Sequence, residues 1–221
     1  MSVPAVRRRT AILVSGRGSN MTALLEAAAD PAYPAEISVV IANKPGAPAL
    51  EKAAAAGVAT ATVDHRGHGG RQRFEELLDE ELRSRDVELV VLAGFMRILT
   101  PWFVERWNDR LINIHPALLP SFKGLDTHAR ALAEGCKLHG ATVHFVRPEM
   151  DAGPIIAQGA IAVRDDDTEE TLAARVLGVE HALYPRALAL VASGELRVEG
   201  MRVLRTSGTA ADPAPLLVPG D

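Results

Sequence analysis

The run Thr10-Ala11-Ile12-Leu13-Val14-Ser15-Gly16-Arg17-Gly18-Ser19-Asn20 decides the fold. A short apolar run closed by Ser-Gly reads as a buried strand over Thr10–Ser15, and the amphipathic stretch Asn20–Asp30 behind it reads as a helix. The alternation repeats downstream. Strands are expected at Ile37–Ile41, Ala59–Val63, Glu88–Leu92 and Leu111–His115. Helices are expected at Ala47–Ala56 (ended by Gly57), Gly70–Arg85 and Pro101–Trp107. Phe74, Leu77, Leu78 and Leu82 fall at helical spacing. Pro101 stands where a helix's first turn tolerates proline. Glu88–Leu92 is nearly all apolar, as a strand buried on both faces must be. The order βαβαβαβαβ predicts an α/β fold with a doubly wound, mostly parallel sheet and helices on both faces.

Past His115 the pattern changes. A helix is expected at Asp126–Glu134. Ala141–Val146 alternates and Ile155–Val163 is a long strand, and both read as mixed or antiparallel additions to the sheet. A long helix follows from about Thr168 to Ser193. Asp167-x-x-Glu170 resembles a capping box at its start, and Pro185 predicts a kink or a second segment. Leu196–Leu204 reads as a small hairpin around Gly200. From Thr206 onward Gly, Ala, Pro and Asp dominate, so residues 206–221 are expected to be a disordered tail. The expected organisation is one domain over residues 1–205, with a nucleotide-binding half over 10–115 and a second half over 116–205.

Of 221 residues, 48% are hydrophobic and 24% charged, enough to bury a core without disulfide or metal staples. The net charge of −4 leaves no general basic excess for a nucleic-acid partner. The single cysteine, Cys136, excludes a disulfide framework and any multi-cysteine zinc site and fits a reducing cytoplasm. No apolar run reaches the roughly 18 residues of a membrane span. Arg7-Arg8-Arg9 precede an apolar run too short for a signal peptide.

The glycine loop Ser15–Asn20 lies where open α/β sheets bind ligands, outside the carboxyl end of a strand. The free N–H groups of the helix behind it favour an anion. No Gly-Lys-Ser/Thr follows, so it is not a P-loop. Met21 stands at the third glycine of a dinucleotide fingerprint, and strand two ends at Asn43 with no ribose-binding carboxylate. A single phosphate monoester is the expected ligand; the plain alternative is a tight turn.

In Leu111-Ile112-Asn113-Ile114-His115-Pro116, alternation puts Asn113 and His115 on one face. Two polar side chains at the end of an apolar strand must find partners or line a cleft. Asp151 lies in the turn-rich stretch Pro148–Pro154. A carboxylate beside an imidazole fixes its orientation and favours its charged form, and an Asn amide can donate to a developing oxyanion. Together they suit acyl-type transfer through a tetrahedral intermediate. Spacing alone leaves open a satisfied strand-end histidine and an unrelated turn aspartate. Other features read as structural. His65-x-x-His68 is a glycine-rich loop. Asp165-Asp166-Asp167 is a solvated helix start. His128, His139, His144 and His181 lack zinc spacing. His144, in an alternating strand, is a core or supporting residue. Cys136 has no base near it in sequence. Leu92–Leu99 is an apolar pocket or a packing loop.

Asn113-Ile114-His115-Pro116-Ala117-Leu118-Leu119-Pro120 resembles the formyltransferases that use 10-formyltetrahydrofolate. The glycine loop, Leu92–Leu99, Gly140-x-Thr142-Val143-His144-Phe145-Val146, Met150-Asp151-Ala152-Gly153-Pro154-Ile155-Ile156 and Glu180-His181-x-x-Tyr184-Pro185 extend the resemblance over about residues 10–205, in the family's order. Among these enzymes the set is similar to the branch that formylates glycinamide ribonucleotide in purine synthesis. The resemblance implies that His115 is the general acid/base, that Asn113 stabilises the oxyanion and that Asp151 supports the histidine and its proton relay. It implies that Gly18, Ser19, Asn20, Met21 and Thr22 cradle the ribonucleotide phosphate and that Glu180 holds its ribose. It places the folate against Arg71, Met96, Arg97, Ile98, Leu99, Asn113, and Arg147, Pro148, Glu149, Met150 and Asp151, largely through backbone. The 116–205 half is then the folate side, 10-formyltetrahydrofolate is the formyl donor, and no metal, nucleic acid or membrane is implied. The expected state is a monomer or homodimer.

The chain departs from the family at Thr142, where many relatives have serine, and at Ala152, a common glycine. Formyltetrahydrofolate deformylase, a hydrolase with the same three catalytic residue types, carries an added N-terminal domain, for which a first strand at Thr10 leaves no room. Methionyl-tRNA formyltransferase has a further C-terminal domain and basic surfaces. A non-catalytic phospho-ligand sensor is the alternative from another class.

Overall fold

In the first half, β1 (Arg8–Val14), α1 (Ser19–Ala28), β2 (Ala35–Ala42), α2 (Pro48–Ala55), β3 (Thr60–Thr62), α3 (Arg71–Ser84), β4 (Leu89–Leu92), α4 (Pro101–Arg106) and β5 (Leu111–His115) alternate as expected. The second half adds α5 (Thr127–Ala133), β6 (Leu138–Phe145), β7 (Ile155–Ala162), α6 (Glu169–Ala192), β8 (Leu196–Glu199) and β9 (Arg202–Arg205). This is a computed structural model, and it describes residues 7–66, 69–206 and 218. Two expectations therefore fall largely or partly outside it: the tail beyond residue 206, and the His65-x-x-His68 loop, of which Gly67 and His68 are not described.

Seven strands form one sheet in the order β3-β2-β1-β4-β5-β6-β7. The first five run parallel, and β6 and β7 join antiparallel. The chain winds from β1 to one side and then, from β4, to the other. The reversal between β1 and β4 opens a crevice at their carboxyl ends. Across it Ser15 N–H donates to Gly94 O at 3.2 Å.

The two faces are covered unequally. On one face Ile12, Val14, Val91, Ile112, Ile114 and Val143 pack under α1, α2 and α6. On the other, Leu13, Ile41, Val90, Leu92 and Leu111 pack under Phe74, Leu78 and Leu82 of α3, Phe103 of α4 and Trp107 just past its end. Burial of large apolar side chains contributes about 1.5–3 kcal/mol each. On this second face Asn113 and His115 continue the line of Leu111 toward the carboxyl edge. Two loops reach His115 there, one through Phe122 O and the other through Asp151.

Three details differ from the sequence reading. β6 starts at Leu138, not Ala141. Gly140 there faces Gly159 so closely that a Cβ would lie 1.9 Å from Gly159 O, and two glycines hide a strand from an alternation pattern. The capping box of α6 is Thr168 with Thr171, not Asp167 with Glu170. Asp167 instead accepts from Arg164 N–H at 2.8 Å and pairs with Arg175 at 2.6 Å. α6 runs unbroken through Pro185, whose carbonyl accepts the Tyr33 hydroxyl at 2.6 Å. Among the described residues no helix is long and apolar enough to cross a membrane.

Candidate active site

β5 and β6 build the floor. Their antiparallel register sets Asn113 opposite His144 and His115 opposite Thr142. Side chains directly opposite share a face, so four polar residues line one patch of sheet. His144 is buried, and its Nδ1 lies 2.9 Å from Phe145 O. A carbonyl only accepts, so Nδ1 carries the proton and Nε2 is left as an acceptor. That acceptor stands 3.3 Å from Asn113 Nδ2. One amide N–H of Asn113 is thereby fixed, and the second has no acceptor among the described residues. Burial, the largest cause, holds the His144 imidazole below its usual range, against the pull of Phe145 O and Asp151. A neutral His144 is the form that can accept from Asn113.

His115 is held at both ring nitrogens. Its Nε2 lies 2.8 Å from Phe122 O, and its Nδ1 lies 3.4 Å from Asp151 Oδ2. Each nitrogen faces an acceptor, so a proton on either has a place. Asp151 reaches the site from the turn between β6 and β7 with φ +51. Gly124 N–H donates to its Oδ2 at 2.9 Å, and its Oδ1 stands 3.9 Å from His144 Nε2. The turn can lie on the sheet because residue 153 is glycine: a Cβ there would lie 1.6 Å from Phe145 O. Thr142 anchors the other loop. Its hydroxyl donates to Ala117 O at 2.7 Å and accepts Leu119 N–H at 3.0 Å and Gln158 Nε2–H at 2.9 Å. Above it His128 Nδ1 meets His139 Nε2 at 3.2 Å. Burial first, then the charges of His128 and His115, push His139 down to about 4.

The glycine loop ends at Gly18, φ +71, directly before α1. A Cβ on Gly18 would lie 2.7 Å from Ala49 Cβ, so backbone angle and packing both require glycine. No side chain caps α1, which leaves the N–H groups of its first turn open to an anion. Asn20 Nδ2 donates to Glu180 Oε2 of α6 at 2.6 Å, both residues being buried. Burial raises the Glu180 carboxyl above the usual glutamate range, offset in part by Asn20. Asn20 Oδ1 is buried without a partner among the described residues.

The structure thus brings Asn113, His115 and Asp151 together and joins Asn20 to Glu180. Other expected residues sit differently. The Met21 side chain is wholly in the core, which leaves only its backbone for a ligand. Thr22 donates its hydroxyl to Gly18 O and lines a separate groove of about 550 Å³ between α1 and α2. Met96, Ile98 and Met150 are exposed at 68%, 62% and 52%, an apolar rim, whereas Leu99 is buried. Arg71 opens α3 on the surface. Glu149 pairs with Lys123 at 3.0 Å, and Arg147 with Asp109. Arg97 is half-buried and Pro148 exposed. His144 and Thr142 were not among the expected site residues. The signal for them was present: alternation in β6, paired with β5, puts them opposite Asn113 and His115.

A family model described as formyl transferase matches residues 8–188. The trifunctional purine biosynthetic protein adenosine-3 of Gallus gallus is 47% identical over 190 residues, 86% of this chain and 19% of that protein. The chain spans about a fifth of the length of such trifunctional relatives. Phosphoribosylglycinamide formyltransferase of Escherichia coli (strain K12) is 41% identical over 208 residues, 91% of this chain and 98% of that one. Among solved structures, glycinamide ribonucleotide transformylase 1 from Symbiobacterium toebii superposes with a TM-score of 0.88 at 40% identity, covering 91% of this chain and 95% of that one.

Proposed function

The chain belongs to the formyl transferase family, and from that premise we propose that it moves the formyl group of 10-formyltetrahydrofolate to the amine of N1-(5-phosphoribosyl)glycinamide in purine synthesis. The observation that carries the reading is the set Asn113, His115 and Asp151 gathered where β5 meets two loops, with one amide N–H of Asn113 that has no acceptor among the described residues. The continuous sheet supports reading residues 1–205 as one formyltransferase domain.

The phosphate lies on the open N-terminus of α1, at Gly18–Thr22, and Glu180 accepts from the ribose hydroxyls. The folate ring lies along Met96–Leu99 and the 147–151 turn, with Arg71 toward its acidic tail. The glycinamide nitrogen attacks the formyl carbon, and charge builds on the formyl oxygen. The free N–H of Asn113 donates to that oxygen, where the charge develops. His115 takes the proton that the attacking amine loses and gives it to the folate nitrogen as the carbon–nitrogen bond breaks. Asp151 Oδ2 holds the imidazole in place through Nδ1. The products are the N-formyl ribonucleotide and tetrahydrofolate. The test mixes the protein with both substrates and identifies the formylated ribonucleotide by mass spectrometry. A control without ribonucleotide is assayed for formate. Formate released regardless of ribonucleotide would move the reading to a deformylase.

A further inference from the structure

Residues 93–100 form a strap between β4 and α4. Two buried side chains from different elements hold it. At the Met96 end, Ser15 Oγ accepts the Met96 N–H at 2.8 Å and donates to Asn43 Oδ1 at 2.7 Å. Ser15 is also the first residue of the glycine loop. At the far end stands Glu75 of α3, completely buried. One of its oxygens accepts the Thr100 N–H at 2.8 Å, and the other accepts the Thr100 hydroxyl. Between these points Met96 and Ile98 face outward and Leu99 faces the core.

A buried carboxylate costs desolvation free energy that a hydrophobic side chain would not. Helix capping does not account for Glu75. Thr100 is the N-cap residue of α4, yet its hydroxyl makes no bond to α4's own N–H groups and turns to Glu75 instead. The side chain suited to cap the helix holds the strap. Glu75 also stands four residues after Arg71, on the same side of α3. One rigid helix therefore fixes both the strap and the arginine assigned to the donor's acidic tail.

We propose that Glu75 and Ser15 are positioning residues that pin the strap: Glu75 for the formyl donor alone, and Ser15 for the donor and, through the glycine loop, for the ribonucleotide as well. The inference rests on the proposed function. Glu75→Gln keeps the shape but sets an NH2 against one Thr100 donor. It raises the donor KM about tenfold or more, the effect of one hydrogen bond to a charged group. kcat and the ribonucleotide KM stay within about twofold, the pattern of lost uniform binding. Ser15→Ala raises both KM values. Thr100→Val keeps the N–H and gives a smaller rise in donor KM, and Thr100→Ser restores it. The Glu75→Gln, Thr100→Val pair is less than additive, because both changes act on one contact. A second readout does not depend on turnover: amide hydrogen exchange quickens at Thr100 in Glu75→Gln and at Met96 in Ser15→Ala.

A lowered kcat with unchanged donor KM in Glu75→Gln would overturn the inference, as would equal rises in both KM values or unchanged exchange at Thr100. If Glu75→Gln does not fold, Thr100→Val against Thr100→Ser decides the same question. Wild-type protein that transfers no formyl group would overturn the functional reading. Wild-type transfer with an unmoved donor KM in the variants would overturn this inference alone.

Discussion

Replacing Glu180 by glutamine should stabilise the free protein and impair its use of the ribonucleotide. Glu180 is 8% exposed, and Asn20 Nδ2 at 2.6 Å is its one hydrogen-bond donor among the described residues. Burial raises its carboxyl above the ordinary glutamate range, so ionising it in the folded chain costs free energy. Glutamine keeps an acceptor for Asn20 Nδ2. It also brings an N–H to the side of Asn20 Oδ1, which is buried without a partner. Satisfying such an atom is worth about 1–3 kcal/mol, and some of that is spent in fitting the amide. The expected net gain of about 1 kcal/mol raises Tm by roughly 2–4 °C for a chain of this size. The gain depends on pH. A carboxyl whose folded value is raised contributes stability below its unfolded value of about 4.3 and loses it as pH rises through the folded value. The charge-related part of the gain is therefore full at pH 8 and absent near pH 4. The ribonucleotide loses a charged acceptor for its ribose hydroxyls, worth about 1.5–3 kcal/mol, so its KM rises about 10- to 150-fold. Thermal unfolding at the two pH values and steady-state kinetics read both effects. A variant less stable at pH 8, with an unmoved ribonucleotide KM, would contradict both roles given to Glu180.

Gly18→Ala should destabilise by about 2–5 kcal/mol, from the left-handed backbone and the overpacked contact with Ala49 together, and raise the ribonucleotide KM; chemical denaturation and kinetics check both. His128, His139 and His144 are all held below the usual imidazole range, burial being the first cause. The unfolded chain then binds more protons between about pH 6.5 and the lower folded values, so stability should fall as pH drops through that window. His139→Gln should flatten the slope of a denaturation series from pH 7 to 4, His139 being lowered to about 4. Asp151→Asn should cut transfer by about 10²-fold or more, the order of one general acid–base contribution, with ribonucleotide affinity intact by calorimetry.

Much of the fold was legible because its signals are local. Apolar runs closed by glycine, and helices with Phe74, Leu78 and Leu82 on one face, give the doubly wound half directly. Asn113 and His115 on one face follow from alternation alone. The link to Asp151 does not, because it depends on the antiparallel return of β6 and on a left-handed residue that lays the turn across the sheet. Only the family resemblance joined the three in advance. Sequence alone makes His144 a core or supporting side chain, and the pairing register turns that into a specific contact with Asn113. The capping box falls one residue beyond the expected one because Asp167 and Thr168 are both good caps, and Arg175 draws Asp167 away. No local pattern marks Glu75, which reads in sequence as one more acid on a charged helix and is fully buried in the fold.

We assign the proton carried in formyl transfer to His115, held between Phe122 O and Asp151. The most direct test is the single-turnover transfer rate of His115→Ala, measured beside its ribonucleotide Kd. Transfer should fall by about 10²- to 10⁴-fold, the usual reach of a general acid–base group, with the Kd within about twofold. Near-normal transfer in a folded variant would remove His115 from the mechanism.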